Sequence, residues 1–487
     1  MGTLQVVTIS VTVVLMINVI LAGIMVFFER RKPASTWAWL LVLFFIPGIG
    51  FLIYIFFGRD SKRERVFEAK GRYDREVYYN YIYKSKYWDK MKEQTMCIKK
   101  RKSLIPYEYL NDLAYLHINS GHWVTFNNKV ERFVDGNAKF DALIKDIRAA
   151  RKYIHMEYYI LRADDLGKTI IAELAKKAAE GVEIRFLYDG MGCRMIKKKF
   201  FKQLLKNGGR IAAFLPPLIA RINYRDHRKI CIIDGQIGYI GGFNIGNEYL
   251  GITKRYGPWR DTHLRITGDA IDQMQIRFIM DWNFASKKHH IALDNRYFPD
   301  RIQSNDICMQ IVSSGPDTRW NNVLNGYFKM INEAEDHVYV ETPYFVPDDG
   351  VLEALRTAAL SGIDVRIIIP ANPDHLFVYW ASMSYLGELL DAGVRCYQYE
   401  KGFIHTKAMF IDGRVASVGT ANMDIRSFEL NFEINAFIYD EKTTRKLEKD
   451  FLNDLRYCTE ITRDWYTNRK WWFRLRESVS RLISPML

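Results

Sequence analysis

The sequence predicts an α/β protein: two tandem copies of one domain, packed as a pseudo-dimer and preceded by a transmembrane α-hairpin. Three observations carry this. A histidine motif occurs twice, 178 residues apart. The strand-like and helix-like stretches around it recur in the same order. Two apolar runs of membrane-spanning length stand at the N-terminus.

Each element follows from local pattern. From Leu4 to Phe28 the chain is apolar apart from Gln5, Asn18 and small hydroxyls, and a second apolar run extends from Thr36 to Phe57. A span needs about 20 residues, so residues 1–60 read as a hairpin with spans at 4–28 and 36–57. Trp37, Trp39 and Tyr54 stand near the ends of the second run, where aromatic side chains suit a membrane interface. A signal peptide fits poorly, since no basic residue precedes the first run and no small-residue cleavage site follows it. The turn carries Arg30, Arg31 and Lys32, but more basic residues follow the hairpin: Arg59, Lys62, Arg63, Arg65, Lys70, Arg72 and Arg75. That count places the rest of the chain on the cytoplasmic side of the cell membrane. Residues 61–130 are basic and tyrosine-rich, and read as a linker or a helical surface lying against headgroups.

From residue 131 the alternation begins. A helical pattern at Phe140 to Ala150 and a strand at Lys152 to Ile160 correspond to Ile331 to Ala334 and His337 to Phe345. The stretch from Gly181 to Asp189 corresponds to Gly362 to Pro370, and Leu204 to Gly208 corresponds to Leu389 to Gly393. Equivalent positions lie 178 to 185 apart, a drift that loop insertions explain. The period is too long for a solenoid, so each copy is one α/β domain, at 131–300 and 301–460. Residues 461–487 interleave Trp471, Trp472, Phe473, Leu475, Val479, Leu482 and Ile483 with arginines. Such a helix lies at a membrane interface or docks on the protein's own core.

Composition narrows the function. At 487 residues, 48 % of them apolar, the chain is a multidomain globular protein, and a formal charge of +14 favours an anionic partner, nucleic acid or acidic membrane surface. The six cysteines are widely spaced and read as reduced thiols.

The paired motif carries the chemistry. It reads His227-x-Lys229-x4-Asp234 with Gly242 and Asn244 following, and His405-x-Lys407-x4-Asp412 with Thr420 and Asn422. Residues two apart on a strand share a face, so each histidine sits with its lysine. Asp234-Gly235 and Asp412-Gly413 are hairpin-turn signals, which gives both aspartates a structural reading ahead of a catalytic one. The lysines would repel a metal cation, and no cofactor is expected. They suit a phosphodiester, whose transition-state charge lysines and amides neutralise. One neutral imidazole can attack phosphorus while the other, protonated, hands its proton to the leaving alkoxide. A catalytic imidazole needs a carboxylate on its second nitrogen. Aligning the downstream strands puts Asp261 and Glu433 in equivalent places as that orienting pair. Glu157 and Glu341 are weaker candidates that read as strand-end contacts.

At these residues the chain resembles the phospholipase D superfamily. Its hairpin, the segment Trp259 to His263, the run Gly419 to Glu433 and the closing residues 482–487 resemble the bacterial cardiolipin synthases within it. The resemblance implies two phospholipase D-like domains. It also implies transfer of a phosphatidyl group from one phosphatidylglycerol to another through a phosphatidyl-histidine. It implies catalytic sets His227, Lys229, Asp234 and His405, Lys407, Asp412, with His227 as nucleophile and His405 as acid and base. Asn244, Asn422, Gly242 and Thr420 would line the phosphate site, although Gly242 and Thr420 stand where many relatives have serine. The expected partners are phosphatidylglycerol and anionic membrane lipids, with no nucleic acid; oligomeric state is not legible. A phospholipase D hydrolase or a nuclease of the superfamily would use the same residues. An inactive scaffold is disfavoured because both motifs are intact.

Overall fold

The fold is given by a computed structural model of the chain. It describes residues 105–108, 111–214, 223–253, 255–301 and 306–484, and before them 5, 12–13, 16–23, 33–46, 49–50, 54, 61–83, 87–100 and 102.

Two mixed sheets organise residues 128–461. The first takes β1 (Asn128–Phe133), β2 (Tyr153–Tyr158), β3 (Glu183–Asp189), β4 (Arg210–Phe214), β5 (Lys229–Ile233), β6 (Ile237–Gly241) and β7 (His263–Gly268), in the order β1-β7-β6-β5-β2-β3-β4. The second takes β8 (Met309–Ser314), β9 (His337–Glu341), β10 (Asp364–Pro370), β11 (Arg395–Tyr399), β12 (Ala408–Ile411), β13 (Val415–Gly419), β14 (Asn431–Ile438) and β15 (Cys458–Ile461). Its order, β8-β14-β13-β12-β9-β10-β11-β15, repeats the first sheet strand for strand and adds β15 at the edge. In both, the β2-β3-β4 or β9-β10-β11 strands are parallel and the rest antiparallel.

The duplication reaches the helix ends. Helix Asp165–Ala179 is capped by Asp164, which accepts from the Gly167 amide, and helix Asp349–Leu360 by Asp348, which accepts from the Gly350 amide. Such caps satisfy amides that the first turn leaves unpaired. Each helix ends at a glycine of positive φ, Gly181 at 89° and Gly362 at 93°, which turns the chain into the next strand at no Cβ cost. The all-buried pattern of β2, β5, β8 and β14 is that of strands covered on both faces.

Two short crossovers tie the copies together. Arg225–Asp226 pairs in parallel with Asn431–Phe432 of β14, and Phe403–Ile404 with Trp259–Arg260. Phe403, from the second copy, is buried in the first copy's core beside Trp259, with ring centroids 4.9 Å apart.

The stretch 61–130 contains helices Ser61–Tyr83, Tyr87–Lys99 and Asn111–Asn119. The last buries Leu113, Ala114 and Ile118 in the second sheet's core. Among the described residues no helix is long and apolar enough to cross a membrane. Much of the two expected spans, 4–28 and 36–57, lies outside the described residues. Within the N-terminal unit the Asn18 side-chain amide donates to the Leu43 carbonyl at 3.0 Å, and Leu21, Leu43 and Tyr54 pack together.

Candidate active site

β5 and β12 lie in the middle of their sheets, and each is preceded by its histidine. The crossovers decide which carboxylate each histidine meets. The His227 amide donates to the Phe432 carbonyl at 3.0 Å, which sets its ring against the next residue of β14, Glu433. Nδ1 of His227 lies 2.9 and 3.0 Å from the two Glu433 oxygens. In the mirror arrangement, the His405 amide donates to the Arg260 carbonyl at 2.7 Å and Nδ1 lies 2.7 Å from Asp261 Oδ2. Each imidazole is therefore oriented by a carboxylate of the opposite copy, 206 and 144 residues away. With the Nδ1 proton held there, Nε2 of each ring carries the lone pair.

Lys229 and Lys407 are buried and each ammonium donates back to the carbonyl of its own histidine. Burial pulls Lys229 down to about 7, and Lys407 to about 8. Burial also takes His227 down to about 4, with Lys229 and Lys407 adding to it and Glu433 opposing; His405 falls well below its ordinary value for the same reason. Each histidine feels both lysines, so the four basic groups share one space. Glu433 and Asp261 oppose this crowding without reversing it, and a bound phosphodiester anion would favour the charged forms further.

The carboxylates differ. Burial raises Asp261 to about 6. It also pushes Glu433 up, but His227, Lys229 and a hydrogen bond from Thr420 outweigh it and hold Glu433 below its ordinary value. Asn431 adds a donor at 3.1 Å. One pair of equivalent positions adds to the difference. In the first copy Gly242 lies so close that a Cβ there would meet Asp261 Oδ1 at 1.9 Å. In the second, Thr420 puts a hydroxyl beside its carboxylate.

Other expected site residues stand elsewhere. Asp234 and Asp412 occupy the hairpin turns at the far ends of β5 and β12, five residues beyond the lysines and so roughly 16 Å along the strand. Their φ values are 53° and 56°. Asp234 accepts from the amides of Arg151, Lys152 and Tyr153 at 2.7 to 2.9 Å, and Asp412 from those of Glu335, Asp336 and His337 at 2.8 to 3.0 Å. They clamp the starts of β2 and β9 and do not join the histidines. Gly242 and Thr420 serve the carboxylates; the Thr420 hydroxyl also pairs with the Ile434 backbone. The Asn244 side chain is engaged by the Ile160 amide and the Tyr249 hydroxyl, at 3.1 Å each, whereas Asn422 keeps a buried, unpartnered Oδ1. Glu157 and Glu341 are buried, and burial raises both well above the carboxylate range.

Sequence reasoning missed several neighbours. Tyr159 stands edge-on to His227 at 4.9 Å and Trp259 packs 5.3 Å from His405. Asp374 and Asp424 face Lys407. Arg228 donates to the Glu433 carbonyl at 3.2 Å and pairs with Asp281 at 2.6 Å, fixing β14 against β5. In the sequence Arg228 is one of a run of charged and polar residues, Arg225 to Lys229, so nothing singled it out.

Comparison with known proteins places the chain in a family. A family model described as "Cardiolipin synthase, PLD-like domain" matches residues 143–256 and 327–455, and one described as "Phospholipase_D-nuclease N-terminal" matches 12–59. The chain is 49 % identical to a cardiolipin synthase of Listeria monocytogenes over 98 % of both chains. It is 47 % identical to a major cardiolipin synthase of Bacillus subtilis over 97 % of both. Among solved structures, a phosphatidylserine synthase of Haemophilus influenzae shares the fold, with a TM-score of 0.59 at 16 % identity, covering 77 % of this chain and all of that one.

Proposed function

The chain belongs to the cardiolipin synthase family with paired phospholipase D-like domains, and from that membership we propose that it joins two phosphatidylglycerol molecules into cardiolipin and glycerol. It is a phosphatidyltransferase. The observation that carries the mechanism is the exchange of carboxylates between the two histidines.

Nε2 of His227 attacks phosphorus of the first phosphatidylglycerol, and the P–O bond to its glycerol breaks. Protonated Nε2 of His405 gives its proton to the departing glycerol oxygen. Lys229 and Lys407 offset the charge on the phosphoryl oxygens. The resulting phosphatidyl-His227 bears positive charge on its ring, and Glu433, held ionised, stabilises it. A hydroxyl of the second phosphatidylglycerol then loses its proton to His405 Nε2 and attacks phosphorus, freeing His227. Assignment of His227 as nucleophile is supported by the lower pKa of Glu433 relative to Asp261. Asp261 sets His405 as the acid and base.

In this reading residues 1–60 form a transmembrane hairpin that keeps the enzyme in the cell membrane, with the two domains, 131–300 and 301–460, on the cytoplasmic side. The Asn18 to Leu43 hydrogen bond supports pairing of the two spans, since a polar side chain in a bilayer seeks a partner within the protein.

The test is purified enzyme with phosphatidylglycerol in mixed micelles, following cardiolipin, glycerol and phosphatidic acid, with His227→Ala and His405→Ala alongside. Cardiolipin and glycerol should appear one for one and disappear in both variants. Dominant phosphatidic acid would make the enzyme a hydrolase.

A further inference from the structure

The C-terminal helix Trp471–Ile483 is turned inside out. The face it lays on the protein is largely polar: Glu477 and Ser480 are buried, and so is Ser484 just beyond the helix. Glu477 is held there by Arg469 at 3.0 Å and by the Tyr466 hydroxyl at 3.2 Å, and Ser484 meets the Tyr385 hydroxyl at 3.2 Å. The opposite face presents Trp471, Leu475, Val479 and Leu482, spaced four, four and three residues apart, so that they form one stripe. Trp471 is 69 % exposed and Leu482 82 %. A helix that docks through hydrogen bonds and holds its apolar stripe outward has been shaped for an apolar partner.

Two further observations identify that partner. Lys470, Arg474 and Arg476 are exposed around the stripe, while the helix's one acid, Glu477, faces inward. The outward surface is therefore apolar and cationic, the combination that lies in the headgroup region of an anionic bilayer. The surface also continues to the active site. The helix packs on helix Leu376–Leu390, with the Phe473 and Trp380 rings 5.5 Å apart. The start of that helix exposes Leu376 and Phe377, at 64 % and 57 %. Two residues before it stands Asp374, close enough for its charge to act on His405 and Lys407.

We infer that the C-terminal helix, together with Leu376 and Phe377, is an interfacial docking surface for anionic lipid bilayers that sets the mouth of the active site at the level of the lipid headgroups. The inference rests on the lipid-substrate reading above.

The test uses the full-length enzyme and the triple variant Leu475→Glu, Val479→Glu, Leu482→Glu, whose sites are exposed. On phosphatidylglycerol–phosphatidylcholine vesicles the variant should turn over at least about tenfold more slowly, because three apolar contacts with the bilayer become charges. On short-chain phosphatidylglycerol dissolved as monomers it should match the wild type. Bromine-labelled acyl chains should quench a tryptophan component of the reconstituted enzyme that is lost in Trp471→Phe, Trp472→Phe. Unchanged vesicle turnover, or no quenching of that component, overturns the proposal. Equal losses on vesicles and monomers would make the helix merely structural. A fall in oligomer size in the variant would show that a second copy covers the stripe. If the wild type made no cardiolipin even in micelles, the functional reading would fail while the quenching still reported on docking.

Discussion

Replacing Glu433 by glutamine probes the site through one atom pair. The carboxylate accepts from His227 Nδ1 and, at Oε1, from Asn431 Nδ2. In Glu433→Gln the Asn431 donor claims the amide oxygen, so the new NH2 faces Nδ1. The amide oxygen still lies 2.9 Å from Nδ1, but an NH2 now stands 3.0 Å from it and disfavours a proton there, which shifts His227 toward the tautomer protonated on Nε2 that lacks the attacking lone pair. The negative charge is lost as well. A unit charge about 4 Å from a cationic phosphohistidine ring is worth about 4 kcal/mol at an effective dielectric of about 20. Tautomer and charge together predict a fall in kcat of about a thousand- to ten-thousandfold, about 4 to 5.5 kcal/mol of activation free energy. The assay is cardiolipin formation in micelles, with a chromogenic phosphatidyl ester whose leaving group needs no acid. On that ester Glu433→Gln should lose the initial burst, whereas Asp261→Asn, which disturbs His405, should keep the burst and stall afterwards. A folded Glu433→Gln variant within about tenfold of wild type would refute the reasoning.

Further predictions follow from the same geometry. Asp234→Asn should lower stability by about 1.5 to 3 kcal/mol, because a charged acceptor of three backbone amides is lost, while kcat of the folded fraction stays near wild type; thermal unfolding and active-site titration read the two separately. Gly242→Ala should cut kcat by about a hundredfold or more, since its Cβ displaces Asp261 and releases His405. The lysines are charged below their pKa values of about 7 and about 8, so raising the pH through that range removes the charge that attracts the phosphodiester. The pH profile of kcat/KM should therefore begin to fall near pH 7 and steepen above about pH 8, while kcat, reporting the anion-bound enzyme, falls later.

Much of this was legible in the sequence because a duplication writes each constraint twice. The histidine and lysine positions, the Gly181 and Gly362 turns and the Asp261 and Glu433 equivalence all follow from aligning the chain with itself. The crossing of the carboxylates was not legible. It depends on two-residue parallel pairings, Arg225–Asp226 with Asn431–Phe432 and Phe403–Ile404 with Trp259–Arg260, and nothing local to His227 names Glu433 over Asp261. Asp234 and Asp412 carried two readings. Motif membership pointed to catalysis and the Asp-Gly pair to a turn, and the left-handed φ with three amide donors places them in the turn. The C-terminal helix had an ambiguous pattern because amphipathicity does not reveal which face is covered. Here the polar face is the covered one, since Arg469, Tyr466 and Tyr385 supply partners for it.

The central claim is a covalent step on His227 completed by His405. It is tested most directly by quenching the His405→Asn variant after reaction with the chromogenic phosphatidyl ester and mapping the adduct by mass spectrometry. The account predicts an acid-labile phosphatidyl group on the peptide containing His227, accumulating to one per enzyme. An adduct elsewhere in the chain, or release of chromophore with no adduct at all, would contradict it.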